Sequence, residues 1–92
     1  MKIAINTCFG RFSLSKEAYD YLGLKWDNYG MEYNNSEDRN NIKLIEVIEK
    51  LGKLASGKDA DIKIIEIPDN IEYYIDDCDG IESIHEKHRI WR

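Results

Sequence analysis

Between Ile42 and Ala55 the apolar residues Leu44, Val47, Ile48, Leu51, Leu54 and Ala55 recur at three- and four-residue steps, with Ile42 and Ile45 beside them. That spacing is the period of an amphipathic α-helix. Lys43, Glu46, Glu49, Lys50 and Lys53 occupy the other side. Glu46→Lys50 and Glu49→Lys53 are i,i+4 pairs in the favourable order, each contributing roughly 0.2–0.5 kcal/mol. Ser36 or Asn40 is expected to cap the start, and Gly52 or Gly57 to end it. So wide an apolar arc needs a covering layer, and the rest of the chain reads as a sheet able to provide one.

Lys2 to Cys8 alternates, with Ile3 and Ile5 on one face and Ala4, Asn6 and Cys8 on the other, which predicts a strand. Gly10 breaks it. Ser15 can accept a hydrogen bond from a free amide of a following helical turn, and Leu14 with Tyr19 fits a hydrophobic staple. Gly23 then stops this short helix near Leu22. Residues 24–38, with Trp26, Tyr29, Met31 and Tyr33 among polar neighbours, read as a loop packed on the domain, with a short strand at Met31–Tyr33.

Ile62–Ile67 predicts a strand stopped by Pro68, which has no amide to donate. Ile71, Tyr73 and Ile75 alternate through the next. Asp79-Gly80 suits a type I′ hairpin turn, which needs two positive φ angles. With that turn Cys78 faces Ile81, Ile75 faces Ile84 and Tyr74 faces His85. Asp77 then lies opposite Glu82, a mildly unfavourable like-charge pair. The expected fold is a single α+β domain over 1–92, in the order β-α-α-β-β-β. Two helices pack on a small, mostly antiparallel sheet whose C-terminal strands form a meander.

Lys and Arg number 13 against 18 Asp and Glu, a net charge of −5, which argues against non-specific binding to nucleic acid or anionic lipid. No apolar stretch is long enough for a membrane span or a secretion signal. A cytoplasmic, reducing setting is therefore expected, with Cys8 and Cys78 as two buried thiols and no disulfide.

Each candidate for chemistry has a plainer reading. His85-Glu86-Lys87-His88 spaces its histidines by three, where a zinc-binding HExxH needs four, and Arg89 holds the required place. Asp76–Gly80 with Glu86 imitates half a calcium loop, but Ile75 stands where the first ligand belongs. Gly10 alone makes no phosphate loop. Cys8 as a nucleophile would need His85 or His88 folded beside it. No metal, cofactor or catalytic residue is expected.

Two patches remain. One is Phe9-Gly10-Arg11-Phe12; the other is the basic, aromatic run His88-Arg89-Ile90-Trp91-Arg92. Arginine beside aromatic rings can stack a base and clamp a phosphate, or anchor a protein interface. The candidate binding residues are accordingly Phe9, Arg11, Phe12, His88, Arg89 and Trp91. Core packing is the competing reading for Phe9 and Phe12, and coverage of one end of the core for Trp91. Glu66, Asp69, Glu72, Asp76, Asp77, Asp79, Glu82 and Glu86 form an acidic surplus, read either as solvated charge protecting an edge hairpin or as a surface for a basic cleft.

Asn6–Ser15 with its Cys8-Phe9-Gly10-Arg11-Phe12 core, Glu66-Ile67-Pro68-Asp69, and Asp79-Gly80-Ile81-Glu82 leading into Glu86–Trp91 resemble a family of small proteins of tailed bacteriophages and prophages. Its pattern is CFGGF-x-LS at the start, an amphipathic helix ending in LG, and EIPDD…YDG…EKHRxW at the end. The likeness spans nearly the whole chain. Arg11 departs from it at the second glycine, and Cys78 at an aromatic position. The resemblance implies an accessory protein working in the host cytoplasm. Proteins of that class often counter host antiviral defence, by inhibiting a protein target or by sequestering a nucleotide signal.

The expected partners are therefore a host protein or a small nucleotide. A nucleotide would be held by Arg11, Arg89 and Trp91, across a homo-oligomer interface because so small a monomer has little room for a deep cavity. The alternatives are a small enzyme built on Cys8 with a histidine, and a regulatory or structural phage component.

Overall fold

The structure is a computed structural model and describes residues 1–87. Its order is β1 (Lys2–Asn6), α1 (Lys16–Leu22), α2 (Ile42–Leu51), β2 (Ile62–Glu66), β3 (Tyr73–Cys78) and β4 (Ile81–Glu86). Short 3₁₀ turns lie at Ser36–Asp38 and Gly52–Ala55. The α+β class and the element order are those the sequence predicts.

The strands do not form one sheet. β1 pairs antiparallel with β2, from Lys2↔Glu66 to Asn6↔Ile62, and β3 pairs antiparallel with β4. The expected meander is thus broken between β2 and β3. β2 spends its ladder on β1, whose pairing runs on to the Ile67 amide on the Met1 carbonyl, and Pro68 then has no amide to extend it. The opposite edge of β1 is closed by other groups: the Ala4 amide donates to the Arg39 carbonyl (2.9 Å) and the Asn6 amide to the Glu82 carboxylate (2.7 Å).

Local signals were reliable for α1. Ser15 accepts from the Ala18 amide, and Gly23 closes the helix in the left-handed region at φ 73°. Tyr19 is buried in the core that Leu14, Phe12 and Leu44 share.

The details of α2 differ from expectation. Asn41, and neither Ser36 nor Asn40, caps the helix by accepting from the amides of Lys43 and Leu44. The α-helix ends at Leu51 with Gly52, one of the two expected stops, as its C-cap, but the following turn is 3₁₀. Three residues per turn in place of 3.6 shifts the apolar phase, so Leu54 is exposed although Leu44, Ile45, Val47, Ile48 and Ala55 are buried. Met31–Tyr33 is not a strand: the Met31 amide donates to Asp27, and Tyr33 has a φ of 64°. The thiols are not both buried either; Cys78 is exposed and Cys8 half-buried, and both are free.

The β3–β4 register is the predicted one, with Cys78↔Ile81, Ile75↔Ile84 and Tyr74↔His85. Asp79 and Gly80 take the two positive φ angles of the turn, 53° and 91°. No helix among the described residues is long and apolar enough to cross a membrane.

Candidate functional site

Three segments meet around an open cleft of about 860 Å³: the strap from Gly10 into the start of α1, the loop carrying Trp26 to Met31, and the turn Ser56–Asp59. Backbone hydrogen bonds fix them to one another. The Leu14 amide donates to the Gly30 carbonyl (2.8 Å), Ser15 to Ala55 (2.9 Å) and Gly57 to Ser13 (2.8 Å). Gly30 sits at φ 74° with its α-carbon hard against the Leu14 backbone, so a side chain there would force the loop off the strap.

Asp27 organises the middle segment. Its carboxylate accepts from the amides of Tyr29 (2.8 Å), Gly30 (2.5 Å) and Met31 (3.1 Å), and from the Tyr19 hydroxyl (2.9 Å). Desolvation pushes its carboxyl up, but the three backbone donors and the tyrosine together outweigh this and hold it at about 2. The Tyr19 hydroxyl in turn accepts from the Glu32 amide at 2.8 Å. Burial, reinforced by the Asp27 acceptor against the opposing Glu32 amide, raises the Tyr19 phenol to about 12. Trp26 meets Tyr19 edge to face, with centroids 5.0 Å apart.

The cleft is lined by Arg11, Lys16 and Lys58 against Glu17 and Asp59, with Trp26 and Tyr29 as its aromatic groups and Ser13, Ser15 and Ser56 as hydroxyls. Three cations against two carboxylates is a local positive balance on a chain of net charge −5. Arg11, Lys16 and Lys58 make no ion pair among the described residues. Tyr29 is 72% exposed although its backbone is pinned by Asp27.

The predicted site residues separate. Arg11 is exposed and lines both this cleft and a neighbouring one shared with Asn34, Asp77, Asp79 and Gly80. Phe9 is exposed. Phe12 is a core residue, 1% exposed, and offers no surface to a ligand; the Arg39 guanidinium lies 3.7 Å from its ring centroid. His88, Arg89 and Trp91 lie outside the described residues. The Cys8 thiol lies near the Asp59 carbonyl and the Asn6 side-chain oxygen (3.4 and 3.6 Å). His85 instead stacks on Tyr74 and shares a hydrogen bond with Ser83.

Beside the cleft, a polar clip fastens the β3–β4 turn to the body. Arg39, 2% exposed, donates through both terminal nitrogens to Glu82 (2.5 and 2.7 Å), and further to the carbonyls of Ala4, Tyr33 and Asn34. The fully buried Asn6 donates to the carbonyls of Cys8 and Gly80 and accepts from the Asp61 amide. Glu82 is therefore no part of the exposed acidic surface expected of it. Its repulsion with Asp77 is relieved because Glu82 is neutralised by Arg39 while Asp77 accepts from the Gly80 amide (2.8 Å). At the contact itself backbone meets backbone: a Cβ on Gly80 would run into the Gly10 carbonyl. Gly10 and Gly80 thus meet backbone to backbone, with no room for a side chain on Gly80.

Compared with known proteins, the chain matches no family model, no curated protein and no solved structure.

Proposed function

We propose that this chain is a small accessory protein of the tailed-phage kind it resembles, that it acts by binding, and that it counters a host antiviral defence by sequestering a nucleotide signal. The observation that carries this reading is the cleft: Arg11, Lys16 and Lys58 ring a space of about 860 Å³ that Trp26 and Tyr29 also line. Small-molecule sites run to roughly 300–1,000 Å³ and combine apolar walls with a few convergent polar groups. Cations beside aromatics suit a ligand with both a phosphate and a base.

A second reading, inhibition of a host protein, is favoured by the exposure of Phe9, 72%, next to Arg11. An exposed aromatic beside an arginine is also the composition of an interface anchor.

The test is expression in a bacterium whose defence system signals through a nucleotide, scored by phage plaquing. The wild-type chain should restore plaques, and Arg11→Glu with Lys58→Glu should not. Restoration that survives these charge reversals but is lost in Phe9→Ala would favour the protein target. No restoration by the wild-type chain would remove the defence reading.

A further inference from the structure

We infer that the cleft binds a nucleotide carrying two phosphate charges, with its base stacked on Tyr29 and its phosphates held by Arg11 and Lys58. This rests on the binding reading above and gives it a ligand chemistry.

Tyr29 is the first ground. An aromatic side chain left 72% exposed normally gains little by being fixed in place, yet its segment is held by several hydrogen bonds. Asp27 takes the amides of residues 29 to 31, Gly30 is locked under Leu14, and the Leu14 amide closes the arrangement. A ring carried on a fixed backbone stacks on a planar ligand with less ordering cost than one on a free loop. Stacking is also tolerant of which base is presented.

Charge is the second ground. Arg11 and Lys58 enter from different segments, the strap and the 56–59 turn, which the hydrogen bond from the Gly57 amide to the Ser13 carbonyl ties together. Two cations from two anchored segments suit two anionic groups better than one. Glu17 and Asp59 on the same lining reduce the net attraction, so the site discriminates by placement of charge and should not collect polyanions indiscriminately. That agrees with an overall charge of −5.

The test is calorimetric titration of the full chain with ADP-ribose and with cyclic di-AMP, both of which carry two phosphates. Adenosine with inorganic pyrophosphate serves as the separate halves of ADP-ribose, and adenosine with inorganic phosphate as those of cyclic di-AMP. At least one of the two nucleotides should bind, and each half should bind much more weakly. Tyr29→Ala should weaken binding roughly tenfold, the loss of one stacked base, while Tyr29→Phe should keep it. Arg11→Glu and Lys58→Glu should each weaken it more than tenfold, and added salt should weaken the wild type.

All four changes are at exposed positions, and circular dichroism would verify the fold. No binding of either nucleotide, or binding untouched by Tyr29→Ala and Arg11→Glu, overturns the assignment. The plaque assay separates this failure from the other. Variants that lose plaque restoration in a chain that binds no nucleotide leave the defence reading standing with a different ligand. Nucleotide binding without restoration by the wild type overturns the defence reading alone.

Discussion

The β1–β2 ladder and the β3–β4 hairpin are each two short antiparallel strands, but they are held to the molecule by opposite means. β1 is buried along almost its whole length: Ala4 packs with Leu44, Val47 and Ile48 of α2, and Ile3 and Ile5, on the opposite face of the strand, are buried as well. Burial of apolar surface, at about 25 cal/mol per Å², is what secures it. In the hairpin only Glu82 and the turn glycine Gly80 are buried. It is fastened by a charged pair, an asparagine and a glycine-to-glycine contact. A two-stranded hairpin is marginal on its own in water, so its order is borrowed from that clip. Apolar packing tolerates small errors of fit. A desolvated ion pair does not, because removing one partner leaves a buried charge uncompensated.

The largest expected effect tests this directly. Glu82→Ala should cost about 3–5 kcal/mol, since Arg39 would be left buried without its carboxylate. The double change Arg39→Met with Glu82→Leu should cost far less than either half alone. Hydrogen exchange should rise across 73–86 while the amides paired between β1 and β2 keep their protection. Equal loss in both would show that the two regions unfold as one and would end the distinction.

Leu44→Ala, at a fully buried core position, should cost about 2–5 kcal/mol. It should expose β1, β2 and the hairpin together, as measured by the same exchange experiment. Gly80→Ala should cost at least about 1 kcal/mol, because its φ of 91° and the Gly10 carbonyl both exclude a Cβ. It should raise exchange in the hairpin first.

The smallest effect is confined to acid. Asp27 has a folded value of about 2, below its ordinary 3.8. Its contribution is thus present above that ordinary value and lost as pH falls toward 2. Asp27→Asn should lower the melting temperature near neutrality, and the gap from wild type should close between about pH 4 and pH 2. A gap that persists in acid would mean that the carboxylate charge is not what orders the loop.

What could be read from the residues divides along sequence distance. The Ser15 cap, the Gly23 stop and the Asp79-Gly80 register each depend on a few neighbours, and each is found as expected. The pairing of β1 with β2 and the parting of β2 from β3 depend on residues far apart, which periodicity does not encode. For the site, Arg11 was legible as an unexplained arginine at a glycine turn. Tyr29 and Lys58 were not, because nothing local shows that residues 26–31 and 56–59 meet the same strap. The Arg39–Glu82 pair, 43 positions apart, left one trace: a glutamate set opposite an aspartate in an otherwise sensible hairpin. That misfit was a sign that a third residue was missing from the picture.

The contact of Gly10 with Gly80 also limits how the molecule can be remodelled. A hairpin fastened at its bend cannot be extended there, because any inserted residue would lift the turn off the Gly10 strap that receives it. Growth is open only at the far end, beside Tyr73 and Glu86, and it must come as matched pairs of residues on both strands if each side chain is to stay on its own face. Chains of this design should therefore differ in the reach of that arm while preserving its bend.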